Sequence, residues 1–144
     1  MSAGGPGAPR PLCPSAQPEW TGSVAIGVVG GTVDEPYVTP LASPQPVTDE
    51  LLRLAGPVEP AEVFRFAAPC LCKGCAHFQG ERCRLVERVV GLLPVVASDL
   101  PECGIRPDCR WWRQEGRAAC LRCPQVVTTN HNPSPLMVEA AAPR

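Results

Sequence analysis

The first apolar pattern along the chain lies between Ser23 and Val33, where Val24, Ile26, Val28 and Val29 alternate with or adjoin small residues. It predicts one strand or extended segment over residues 23–33. Thr48 opens a helical pattern. Its hydroxyl suits an N-cap, Asp49 and Glu50 suit the positive helix end, and Leu51, Leu52 and Leu54 form an apolar face before Gly56. Pro60 predicts a second short helix with Val63, Phe64 and Phe66 on its buried side, all of them packing residues. Glu81 to Val90 has helical spacing through Leu85, Val86, Val89 and Val90, extending toward Leu93 before Pro94 stops it. A last helix is predicted from Pro107 through Trp111 and Trp112 to Glu115 or Gly116.

Composition limits what these elements can build. Nineteen prolines and thirteen glycines keep long stretches of the 144 residues out of regular structure. Three Phe, three Trp and one Tyr leave little area for a core, and a chain so poor in large side chains needs a staple, for which nine cysteines are available. The expected fold class is therefore small, metal-stabilised, mostly α and irregular, with short helices around a cysteine-rich core and disordered termini. Four regions are expected: a disordered Pro/Gly-rich tail (1–22), a short strand and helix part (23–69), a cysteine-rich metal-binding region (70–127) and a flexible C-terminal tail (128–144). In the third region metal, more than an apolar core, is expected to hold the chain together.

Several functions are excluded at this level. The net charge of −1 gives no global argument for nucleic acid or an acidic membrane surface. The first residues lack the apolar segment of a secretory signal, and the run from Val24 is too short and glycine-rich to span a bilayer. Pro133 after Asn132 disqualifies the following triplet for glycosylation. Gly27, Gly30 and Gly31 do not form a phosphate loop, because Pro36 and Pro40 follow where a helix must open. No hydrolase motif occurs, so the sequence assigns no catalytic residue. A cytoplasmic location is expected. In that reducing compartment clustered cysteines are metal ligands or redox thiols more often than disulfides.

The cysteines fall into two groups of four: Cys70, Cys72, Cys75 and Cys83, then Cys103, Cys109, Cys120 and Cys123. All eight are expected metal ligands. Cys13 stands apart and reads as an unpaired thiol in a flexible arm. The Cys-x2-Cys pairs Cys72/Cys75 and Cys120/Cys123 can each place two thiolates on one metal. Zinc would use four thiolates in a tetrahedron; iron–sulfur clusters also take four cysteines and tolerate irregular gaps like those of seven, five and ten residues found here. Cys123-Pro124 resembles the Cys-Pro ending of bacterial ferredoxin motifs, without the full Cys-x2-Cys-x2-Cys-x3-Cys-Pro run. From Arg65 to Cys123 ten Lys and Arg face six Asp and Glu, an excess that would balance two thiolate-rich sites of about −2 each. His77 reads as a residue behind the ligands, His131 as solvated, and Trp111 and Trp112 as packing beside the metal.

These patterns point first to an iron–sulfur protein holding one or two [4Fe–4S] clusters, serving electron transfer, redox sensing or a partner enzyme. The alternatives are a zinc-stabilised module binding protein or nucleic acid, and a thiol–disulfide oxidoreductase using a Cys-x2-Cys pair. A protein partner is expected in the leading reading, and no membrane.

Overall fold

The computed structural model describes residues 11–32, 35–126 and 133–142. Its largest element is an antiparallel sheet of four strands: β1 (Leu12–Cys13), β2 (Val24–Gly31), β3 (Pro36–Pro46) and β4 (Phe64–Pro69), in the order β1-β4-β2-β3. A second, two-stranded sheet pairs β5 (Phe78–Gln79) with β6 (Arg82–Cys83). The described residues also form six short α-helices: α1 (Asp49–Arg53), α2 (Pro60–Val63), α3 (Arg84–Leu92), α4 (Arg110–Glu115), α5 (Arg117–Cys120) and α6 (Pro135–Ala141). The expected mostly α and irregular class is thus incorrect: a four-stranded antiparallel sheet dominates the N-terminal half, with α1 and α2 between its strands, and the other four helices follow it in the chain.

Local chemistry explains the elements that the pattern located. Thr48 accepts a hydrogen bond from the Leu51 amide at 3.1 Å, so α1 begins where its cap dictates. In β2 a bulge between Ala25 and Gly27 turns Ile26 out of register. A Cβ at Gly27 would lie 2.5 Å from Val38 Cγ1 and 2.9 Å from the Thr39 carbonyl oxygen, so glycine there serves the close approach of β3.

Phe64 and Phe66, expected on a helix, lie on β4. α2 stops at Val63, and the chain then alternates sides. Phe64, Phe66 and Ala68 enter one apolar cluster with Ala16, Ala25 and Ala61. Ala67 enters the other, where Ile26, Val86, Val89, Leu93 and Trp111 meet. This is the two-residue period of a strand covered on both faces. It places Arg65 on the same side as Ala67, where it is 2 % exposed. The cysteine-rich half therefore shares an apolar core with one face of the sheet, which the expectation of metal in place of a core did not foresee.

The arm expected to be loose carries β1 from its eleventh residue onward: Leu12 pairs with Pro69 and Cys13 with Ala68, and the Cys70 amide donates to the Pro11 carbonyl at 2.8 Å. At the other end, Ser134 accepts from the Met137 amide at 3.2 Å and caps α6, which packs on α3 through the buried Ala140. Residues 1–10, 127–132 (with His131) and 143–144 of the expected tails lie outside the described residues. Among the described residues no helix is long and apolar enough to cross a membrane.

Candidate metal centres

The sheet and the helices bring the cysteines to two cavities. The first has a volume of about 400 Å³ and is lined by Cys13, Cys70, Cys75 and Cys83. The second, of about 60 Å³, is lined by Cys103, Cys109, Cys120 and Cys123. The second set is the one expected from sequence. The first is not: Cys13 takes the place of Cys72, which does not line the cavity. Among the described residues no set of three or more His, Cys, Asp or Glu side chains converges closely enough to hold a single metal ion. None of the nine cysteines is joined in a disulfide.

Around the first cavity each thiol is positioned by a different element. β1 carries Cys13, and its pairing with β4 brings Cys13 beside the start of the next turn at Cys70. The chain then tightens into a 3-10 turn, Cys72–Gly74, with Cys72 at φ 51°. This turn aims two amides at sulfur: Cys72 N–H at Cys70 Sγ and His77 N–H at Cys75 Sγ, each at 3.4 Å. Cys83 ends β6 and precedes α3. Its backbone is bracketed by the Gln114 amide, which accepts from the Cys83 N–H at 2.8 Å and donates to its carbonyl at 2.9 Å. His77 also lines this cavity, but Arg88 donates to its Nδ1 at 2.7 Å. Arginine has only donors, so Nδ1 is the acceptor and is not free to bind metal.

The second cavity is built from helix ends. Cys109 immediately precedes α4, Cys120 ends α5, and Cys123 opens the 3-10 turn Cys123–Gln125, while the exposed Cys103 comes from the preceding loop. Arg65 reaches this cavity from β4. Its Nη2 donates to Cys123 Sγ at 2.8 Å, its Nη1 to the Cys123 carbonyl at 2.9 Å, and its Nε to the carbonyl of Pro14. Sequence reasoning counted Arg65 within a general excess of positive charge. The Phe-Arg-Phe alternation was the signal that would have placed it on a strand, facing away from the two rings.

Loss of water around the sulfurs pushes the thiols of Cys13 and Cys109 up to about 12. Burial raises Cys83 and Cys123 as well, and at Cys123 the Arg65 guanidinium pulls in the opposite direction. For Cys13 the neighbouring Cys83, Cys70 and Cys75 add to the rise, which reflects how near the four sulfurs lie.

Among the described residues four buried side-chain atoms have no hydrogen-bond partner: Ser23 Oγ, Arg106 Nε, Arg110 Nε and Trp111 Nε1. Three of the four belong to residues that line a cavity: Arg106 the second, Arg110 the first and Trp111 both. All three are donors, and an unmet buried donor costs about 1–3 kcal/mol. Donors left open around a cavity ringed by thiols suit an anionic, sulfur-rich guest.

Compared with known proteins, the chain matches no family model, no curated protein and no solved structure.

Proposed function

We propose that this chain is an iron–sulfur protein that holds one cluster in each cavity and exchanges single electrons with a protein partner in a reducing compartment. The observation that carries the reading is the division of eight of the nine cysteines into two four-thiol cavities that share the wall formed by Trp111. A tetrahedral zinc with Zn–S bonds of 2.3 Å would draw its sulfurs to about 3.8 Å from one another. The thiols of the first cavity surround about 400 Å³ of open volume, room for a core wider than one ion. Unmet donors at Trp111, Arg106 and Arg110 match the acceptor sulfurs of an anionic cluster.

The small volume of the second cavity favours a second reading there, a single zinc ion beside an iron–sulfur cluster in the first cavity. The thiol–disulfide reading lacks the framework it needs. Cys72 lies in a 3-10 turn and Cys120 at the C-terminal end of α5, so neither opens a helix whose positive end would activate it.

Anaerobic purification followed by iron, acid-labile sulfide and zinc analysis tests the proposal. Two clusters give a broad absorbance near ~400 nm with iron and sulfide in equal amounts. Iron in one cavity and zinc in the other gives the mixed form. A colourless preparation without iron sinks the iron–sulfur reading altogether.

A further inference from the structure

Arg65 is an unusual residue to find inside a sheet. It lies on β4 opposite Gly27 of β2, is 2 % exposed, and among the described residues has no carboxylate partner in its hydrogen bonds. A buried guanidinium without a counter-charge is costly, so its place in the fold calls for a negative group. Its neighbours supply two carbonyl oxygens and one sulfur. The sulfur, Cys123 Sγ at 2.8 Å, is the one partner that becomes an anion when metal replaces its proton.

The two cavities are otherwise alike in their cationic neighbours. Each has one arginine with a buried, unmet Nε: Arg110 at the first cavity and Arg106 at the second. Arg110 extends its Nη2 to Cys72 Sγ at 3.6 Å, and that thiol does not line the first cavity. The hydrogen bonds to lining sulfurs of the first cavity include neutral backbone amides: Cys72 on Cys70 and His77 on Cys75, each at 3.4 Å, Ser15 on Cys13, and Leu85 and Val86 on Cys83. At the second site, by contrast, the buried Arg65 guanidinium bonds a lining sulfur directly. A charge-assisted hydrogen bond is about twice as strong as a neutral one and strengthens as its acceptor gains electron density.

We propose that Arg65 is a positioning residue that raises the reduction potential of the cluster in the second cavity by bonding Cys123 Sγ. The inference rests on the iron–sulfur reading above. In the step concerned, a one-electron reductant converts a [4Fe–4S]2+ centre to [4Fe–4S]+, with no bond made or broken and no proton required. The added negative charge spreads onto the thiolates, where the fixed guanidinium stabilises the reduced form more than the oxidised one. The same side chain holds the Pro14 carbonyl, beside Cys13, so it also fixes the arm of the first site without touching that site's sulfurs.

The test is a dithionite titration of the iron-loaded full chain, with one-electron mediators and both centres followed by paramagnetic resonance. Each signal is assigned by its loss in Cys75→Ser or Cys120→Ser. Arg65→Met should lower the midpoint of the second centre so that its reduced-to-oxidised ratio at a fixed potential falls about tenfold, or 59 mV for one electron. Arg65→Lys keeps the charge but not the three-way fork, and should give a smaller fall in the same direction. If Arg65→Met fails to load, Arg65→Lys decides alone. An unchanged second midpoint in a loaded variant, an equal fall at both centres, or loss of the second centre from both variants overturns the proposal. Wild-type protein with zinc and no cluster in the second cavity also overturns it, since there is then no potential for Arg65 to raise. Wild-type protein without any iron and labile sulfide is a different failure, seen before any variant is made, and it defeats the parent reading.

Discussion

The two cavities have the same number of thiols and almost nothing else in common. The first is wide, about 400 Å³, and gathers its cysteines from a two-residue strand, a tight turn and a hairpin. The second is narrow, about 60 Å³, and takes three of its cysteines from the ends of α4, α5 and the turn that follows. Neutral amides bond the sulfurs of the first, whereas a buried guanidinium bonds a sulfur of the second. A fold can therefore gather the same number of thiols by two routes. One relies on long-range strand pairing, and the other on local helix geometry stiffened by a fixed charge.

Trp111 is the residue common to both, and removing it should produce the largest effect. It is 1 % exposed, belongs to the apolar cluster of the helical half and lines both cavities. Trp111→Ala is expected to cost about 3–5 kcal/mol and to reduce metal content at both centres, as measured by thermal unfolding and iron analysis. If one centre kept its full iron, the shared wall would be the wrong description of Trp111.

The next prediction separates the two routes. Cys13→Ser should abolish the first centre and leave the second, halving the iron and sulfide per chain. Cys72→Ser should leave both centres loaded. The reverse result would restore the ligand set expected from sequence and disconnect β1 from the site.

That contrast also explains what could be read from the sequence. The second site was legible because Cys109, Cys120 and Cys123 lie within fifteen consecutive residues whose structure is decided locally by α4, α5 and a turn. Helix α1 was legible for the same reason, through the Thr48 cap. Cys13 was not, since its position depends on pairing with Ala68, far along the chain, and a two-residue strand has no periodicity to reveal it. Phe64 and Phe66 were misread because the short helix α2 runs directly into β4 without a glycine or proline between them. The α6 start was marked by Ser134-Pro135, a cap followed by a first-turn proline, a signal outweighed by the loop-like residues before it.

A smaller effect should come from Gln114, which acts on the first cavity alone. Its amide makes paired bonds of 2.8 and 2.9 Å to the backbone of Cys83 and fixes that thiol from α4. Gln114→Ala leaves both backbone groups without these partners, at a cost of about 1–3 kcal/mol. The first centre should lose iron to a chelator faster, while the second keeps its wild-type rate. Equal loss from both would mean that α4 transmits the disturbance through Trp111, and that the two sites are not independent.

The weakest effect is expected on the surface over the same hairpin. Arg82 bonds Glu87 of α3 at 2.6 Å and Glu115 of α4 at 3.1 Å, and Arg84 also reaches Glu87, at 2.7 Å. Arg82 is raised above its ordinary value and Glu87 is lowered, in each case chiefly by the hydrogen bond between them. Both side chains are in contact with water, however, and an exposed pair adds little to stability and is screened by salt. Arg82→Ala should therefore lower the unfolding temperature slightly at low ionic strength and hardly at all in high salt. It leaves the Gln114 bracket on Cys83 in place, so cluster retention in the first cavity should match the wild type. A marked loss of iron from Arg82→Ala would show that the hairpin is held from its charged outer face, and that the Gln114 bracket alone cannot keep Cys83 at the cavity.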